Sequence, residues 1–88
     1  MRATINFSDG STVTVNETDK ICPVILSSDK DGPIAGLLDP VPAETHVHYG
    51  LTWWLLGIFC RCDYFYINEE FSIAYCSKAI VSITTDLP

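Results

Sequence analysis

Alternating apolar and polar residues near the N-terminus predict a β-hairpin over residues 2–16. Ala3, Ile5 and Phe7 share one face of the first strand, and valines alternate with threonines in the second. The intervening Ser8–Ser11 contains an Asp-Gly pair, which supplies the positive φ angles that a tight hairpin turn requires.

The segment from 17 to 42 has a weaker pattern. Residues 21–26 are apolar and largely β-branched, but they include Pro23, which has no N–H to donate to a sheet. We therefore expect a short edge strand there. Residues 34–38 fit either a short strand or a turn of helix, and the Asp-Pro-Val-Pro run that follows is expected to break any regular element.

Residues 43–62 contain the main helix candidate. Their apolar positions follow the i, i+4, i+7, i+8 spacing of a helix, and a second apolar row widens the stripe. So wide an apolar arc predicts a buried helix or one that packs against a second copy through residues 47–62. Gly50 and Gly57 each lower helix stability, so we expect a packing reason for them or a break near Gly50. The stripe comprises Val47, Leu51, Trp54, Leu55, Ile58 and Cys62, and the second row comprises Trp53, Leu56 and Cys60.

The remaining residues, 63–85, predict a meander of three strands rich in aromatic and β-branched side chains. Together these elements predict an α+β fold, with about five mostly antiparallel strands packed on one long apolar helix. The length of 88 residues suits a single domain over 1–88.

The charge of the chain limits its possible partners. Eleven acids against five bases give a net charge of −6, and the bases are scattered. Because nucleic-acid binding requires clustered Lys and Arg, we do not expect direct contact with DNA or RNA. An acidic surface suits a partner protein with a basic surface, although the same charge also serves solubility alone.

Neither a membrane span nor a disulfide is expected. The longest apolar stretch, from 51 to 60, is about half the length that a membrane helix needs. The N-terminus alternates like a strand and lacks the apolar core of an export signal. We therefore expect a cytoplasmic protein whose four cysteines are thiols.

Two histidines and two cysteines raise the possibility of a zinc site. His46, His48, Cys60 and Cys62 are suitable ligand types. On one continuous helix, however, residues two apart point about 200° from each other, so the four side chains diverge. The favoured interpretation is therefore that the protein binds no metal and no other cofactor, and the zinc-stabilised module remains the minority alternative.

Calcium binding and nucleophilic catalysis have less support. The Asp-rich run over 27–32 has a glycine in the position of an EF-hand loop, but the twelfth residue is Leu38 rather than Glu. A cysteine paired with His46 or His48 is a possible nucleophile, but no Cys-x-x-Cys motif is present and the surroundings of Cys60 are strongly apolar. We expect the protein not to be an enzyme.

The aromatic side chains are dense, and the sequence leaves their role open. Tyr64 and Tyr66 lie on the opposite strand face from Phe65, so one of these two sets is less buried. Tyr and Trp are frequent at protein interfaces, but both sets also fit a core.

Two segments resemble small phage and prophage proteins. The run over 65–83 is similar to their closing strands, and residues 5–10 are similar to their opening strand. These segments cover about a third of the chain and carry no catalytic residue. The resemblance implies an accessory protein of a mobile element, a class in which acidic inhibitors of host defence nucleases are frequent.

The function hypothesis combines these observations. We expect a non-enzymatic binding protein, most specifically a phage-type (anti-CRISPR-like) inhibitor that blocks a basic surface stoichiometrically in the host cytoplasm. The alternative is a homo-oligomer that sequesters or senses a small ligand. The residues expected to contact the partner are Asp29, Asp31, Glu69, Glu70, Tyr64, Tyr66 and Trp53.

Overall fold

The structure, a computed structural model, describes residues 2–29, 32–43, 45 and 50–86. The described residues are mostly β, with eight strands in two sheets and one short helix. The elements in chain order are β1 (Arg2–Phe7), β2 (Thr12–Asn16), β3 (Lys20–Asp29), β4 (Gly32–Leu37), β5 (Val41–Pro42), α1 (Thr52–Phe59), β6 (Tyr64–Ile67), β7 (Glu70–Cys76) and β8 (Ile80–Thr85).

The N-terminal hairpin is confirmed and belongs to a three-stranded sheet in the order β2-β1-β8. Ile5 lies opposite Val13 on one side and Ile83 on the other, which places apolar side chains on one face across three strands. The predicted strands over 63–85 are also present. They do not form one meander, because a 3₁₀ turn over Ser77–Ala79 directs β8 out of the second sheet to pair with β1.

The second sheet has five strands in the order β4-β3-β6-β7, with β5 also pairing with β3. The prediction of a short edge strand around Pro23 is wrong, since β3 has ten residues and lies inside the sheet. β5 pairs with β3 at Lys20 and Ile21, and β4 pairs with it only from Val24 onward. Pro23 lies in the gap between them, so its missing N–H interrupts neither ladder in the middle.

The prediction of a long helix is also wrong. The predicted fold class, about five strands packed on one long helix, is therefore wrong as well, because the described residues form eight strands and one short helix. α1 has eight residues, Thr52–Phe59, instead of a helix extending over 43–62, and residues 44 and 46–49 lie outside the described residues. Gly50 adopts φ 60°, a left-handed conformation that an α-helix cannot contain. The expected break near Gly50 is therefore present just before α1. Neither a side-chain cap nor an acid in the first turn stabilises the N-terminus of α1.

The core lies between the two sheets and one face of α1. Four of the six residues of the predicted stripe, Leu51, Leu55, Ile58 and Cys62, are buried, Trp54 is partly buried, and Val47 lies outside the described residues. The second row is not buried, since Trp53 and Leu56 are more than half exposed. Self-association through residues 47–62 remains a prediction. The exposed side chains available for it lie on α1, which is shorter than the predicted helix. The core cluster contains Ala3, Ile5, Phe7, Val15, Ile21, Leu51, Leu55, Ile58, Cys62 and Phe65.

Candidate functional site: an apolar outer face on the five-stranded sheet

The five-stranded sheet is apolar on the face that points away from the core. Phe65 and Ile21 face the core, so the alternation of a strand places Tyr66 and Cys22 on the opposite face. Val24 lies directly opposite Leu37 on β4 and Tyr64 on β6, which extends the same face across three strands. We call this surface the outer face and define it by Val24, Leu26, Ala35, Leu37, Tyr64, Tyr66 and Phe71.

Large apolar side chains on the outer face are open to solvent. Leu26 is 50% exposed, Leu37 is 57% exposed and Phe71 is 52% exposed. Phe71 packs edge-to-face on Tyr66 with ring centroids 5.0 Å apart. Leu37, Tyr66 and Phe71 line a shallow groove of about 330 Å³ together with Val24 and Ala35. An antiparallel sheet with one solvated face normally carries polar residues there, so this face has the character of a contact surface.

The groove lies at the base of a two-stranded arm formed by β3 and β4. β6 pairs with β3 only as far as Val24, whereas β4 pairs with it out to Asp29. The arm is apolar on its second face too, where Ile25 is 37% and Ile34 is 53% exposed. Two strands alone are marginally stable in water, so the arm depends on its attachment to the rest of the sheet.

Asp63 provides that attachment. Its backbone N–H donates to Val24 O at 2.9 Å, and its Oδ2 accepts the Leu26 N–H at 2.8 Å. Its Oδ1 lies 3.4 Å from Lys78 Nζ. The bond from the Leu26 N–H, together with Lys78, lowers the pKa of Asp63 below its ordinary value and outweighs the opposing effect of desolvation. The carboxylate form therefore holds the base of the arm.

The predicted contact aromatics lie on two different sides of the sheet. Tyr64 and Tyr66 are on the outer face and partly buried. Trp53 is 60% exposed on α1, where it lines a groove with Pro23, which lies opposite the core residue Phe65. The two sets of aromatic residues therefore differ. Phe65 is fully buried in the core, whereas Tyr66 lines the groove on the outer face.

The predicted acidic contacts also do not form one patch. Asp29 ends β3, whereas the turn that carries Glu69 pairs with Lys20 at the other end of that strand through Asn68. At the rise of a β-strand these two ends are about 30 Å apart. Glu70 begins β7, and its carboxylate accepts the Ser72 hydroxyl, which lowers its pKa. Asp31 lies outside the described residues.

The candidate metal ligands are only partly described. His46 and His48 lie outside the described residues. Cys60 is exposed and its Sγ donates to Gly57 O, whereas Cys62 is buried in the core. Among the described residues, no three His, Cys, Asp or Glu side chains gather in a way that suits a metal ion.

The buried thiols are poorly suited to act as nucleophiles. Burial raises the pKa of Cys62 above its ordinary value, and burial with the nearby Glu69 charge raises that of Cys22. Cys22 Sγ donates to Asn68 O at 3.0 Å. A thiolate is disfavoured at both positions, and the thiolate is the reactive form.

Sequence reasoning missed Leu26, Leu37 and Phe71, which are the most exposed residues of the outer face. One signal was present. Val24, Ile25 and Leu26 are consecutive apolar residues, a pattern that places apolar side chains on both faces of a strand. The interruption by Pro23 led instead to the expectation of a short edge strand.

No family model matches the chain, and neither a curated protein nor a solved structure is detectably similar to it. Within the part of the chain that the structure describes, no helix has the length and apolar character needed to cross a membrane.

Proposed function

We propose that the protein is a non-enzymatic binding module that attaches to another protein through the outer face of its five-stranded sheet. The observation that carries the proposal is that Leu37 and Phe71, both more than half exposed, line one groove on a sheet face, with Leu26 exposed beside it opposite Ala35. A contiguous exposed apolar patch of this kind is typical of a protein–protein interaction site.

The charge of the chain supports a basic partner. The net charge is −6, and acidic residues border the outer face at the base of the arm and at the β6–β7 turn. Asp63 directly precedes Tyr64, and Glu69 and Glu70 precede Phe71. Such acidic residues accelerate the encounter with a positive surface, and salt screens this attraction.

The narrower proposal is that the partner is a host defence nuclease and that binding blocks its basic groove. It rests on the acidic charge and on the resemblance of residues 5–10 and 65–83 to phage and prophage proteins. Stoichiometric blocking requires no catalytic residue in the inhibitor.

A host-immunity assay tests the narrower proposal. Expression of the protein in a bacterium with active CRISPR immunity is expected to restore infection by a targeted phage. The Leu37→Ser/Phe71→Ser double variant is expected to lose this effect, whereas Val81→Ser, which changes a 69% exposed residue of β8, retains it. If the protein restores phage infection against none of the defence systems tested, the proposal that its partner is a defence nuclease is wrong.

A titration tests the broader proposal. The partner is first captured from host lysate and purified. The double variant is expected to bind it at least about tenfold more weakly than the wild type, because two contacts at the centre of the proposed interface are lost. Affinity is also expected to fall as salt is raised. Equal affinity of the double variant and the wild type would show that the outer face is not the binding surface.

A further inference from the structure

A second groove lies on the helix side of the five-stranded sheet, away from the outer face. It has a volume of about 390 Å³, within the usual range for small-molecule sites. One wall is α1 with Trp53, Trp54 and Gly57, followed by Arg61 just beyond the helix, and the other wall includes Pro23. Trp54, Gly57 and Arg61 are spaced i, i+3 and i+7, so they lie along one side of the helical segment.

Gly57 is the first indication that this space is used. It lies inside α1, where glycine costs about 1 kcal/mol of helix stability relative to alanine. A Cβ built at Gly57 meets no atom within 4 Å, so packing within the chain does not require a glycine. The missing side chain leaves the floor of the groove open and allows close approach to the helix backbone.

Arg61 is the second indication. The chain has more than twice as many acids as bases, and Arg2 and Lys78 each form an ion pair. Arg61 forms no ion pair with any described residue, although Asp39 lines the same groove. Its guanidinium therefore remains available at one end of a groove whose walls are indole rings and apolar side chains. Guanidinium matches a carboxylate in a planar, two-pronged geometry.

We propose that this groove binds a planar aromatic anion. The ring of the ligand lies over Gly57 against the tryptophan side, and its carboxylate binds the Arg61 guanidinium. The proposal is independent of the outer face, and it assigns the small-ligand site that a sensing or sequestering activity requires.

The test uses three probes that share one ring and differ in charge: 2-naphthoate, neutral 2-naphthylmethanol and cationic 2-naphthylmethylammonium. Both tryptophans of the chain line the groove, so the two indole N–H resonances of the ¹⁵N-labelled protein report on binding. The anion is expected to bind about fivefold more tightly than the neutral probe, as one exposed charged contact provides. Unmoved resonances, or a preference for the neutral or cationic probe, would overturn the proposal.

Two variants locate the site. Arg61→Gln is expected to remove the preference for naphthoate, while Lys78→Gln, which removes a charge elsewhere, retains it. Gly57→Leu is expected to fill the groove and abolish binding of all three probes. Because leucine is a strong helix former, this variant should unfold at no lower denaturant concentration than the wild type. Unchanged naphthoate affinity in either Arg61→Gln or Gly57→Leu would place the ligand elsewhere.

Discussion

Asn68 donates a hydrogen bond from Nδ2 to Asp19 Oδ1 at 3.0 Å and joins two turns that are 49 residues apart in the chain. Asp19 in turn accepts the Asn16 N–H through its other carboxylate oxygen. Asn68 Oδ1 accepts the Lys20 N–H at 3.0 Å, and its own N–H donates to Lys20 O. One side chain thus connects the end of the N-terminal hairpin, the start of β3 and the β6–β7 turn.

Substitutions at Asn68 separate its hydrogen bonds from its backbone conformation. Asn68 has φ 55°, which glycine adopts freely and alanine adopts at a cost of about 1–2 kcal/mol. Asn68→Gly loses two side-chain bonds and is expected to lower the free energy of unfolding by about 1–3 kcal/mol. Asn68→Ala should lower it by about 1 kcal/mol more because of the left-handed φ. Urea unfolding followed by tryptophan fluorescence measures both.

Asn16→Ala is the matched control for these variants, since the Asn16 side chain is exposed at the end of β2 and φ is not positive there. Its effect is expected to stay within about 0.5 kcal/mol. If Asn68→Ala were as stable as Asn68→Gly, the conformational part of the argument would be wrong.

Asp63 makes the attachment of the arm sensitive to pH. Its pKa is lower in the folded protein than in the unfolded chain, so the stability that it contributes is fully present above the unfolded-state pKa. That stability is lost as pH falls through the lowered folded-state pKa. We expect the melting temperature of the wild type to exceed that of Asp63→Ala at pH 7, and the difference to shrink below about pH 4. Calorimetry from pH 7 to pH 3 checks this.

Hydrogen exchange localises the same effect. The Leu26 N–H donates to Asp63 Oδ2, so its exchange is expected to accelerate in Asp63→Ala. Asp9→Ala serves as the control, because Asp9 also has a lowered pKa but bonds only to Ser11 within the first turn. A similar gain in Leu26 exchange in both variants would contradict a specific role for Asp63.

The sequence predicted local structure better than the assembly of that structure. The hairpin over 2–16 was visible because strand alternation and an Asp-Gly turn are local signals. The placement of β3 was not, because Pro23 looks like an edge residue until the gap between β4 and β5 is seen. That gap depends on pairings that are distant in sequence.

The helix prediction failed for a related reason. The spacing of Leu51, Leu55, Ile58 and Cys62 identified the residues that are buried, but apolar periodicity does not mark where a helix begins. The start of α1 is marked instead by Gly50, whose positive φ is incompatible with a helix. The outer face was missed because exposure of Leu37 and Phe71 depends on what the fold leaves uncovered.

Phe65 and Phe71 are expected to differ sharply in their effect on stability. Phe65 is fully buried, with ring centroids 4.5 Å from Phe59 and 5.4 Å from Tyr75. Phe65→Ala is expected to cost about 3–5 kcal/mol, which is a large part of the stability of a domain this size. Phe71→Ala should cost less than about 1.5 kcal/mol, because Phe71 is already half exposed. Chemical denaturation of both variants, with Phe65→Leu as a milder probe, tests the division between core and outer face.

Gly50 and Gly57 are expected to respond to alanine in opposite directions. Gly57 lies inside α1 with open space at its Cβ position, so Gly57→Ala should raise the free energy of unfolding by about 0.5–1 kcal/mol. Gly50 has φ 60°, so Gly50→Ala should lower it by about 1–2 kcal/mol. The same urea titration measures both, and each variant controls for the general effect of an added methyl group. A destabilising Gly57→Ala would mean that the floor of the helix-side groove is already occupied in the folded chain, and the space proposed for the aromatic anion would not exist.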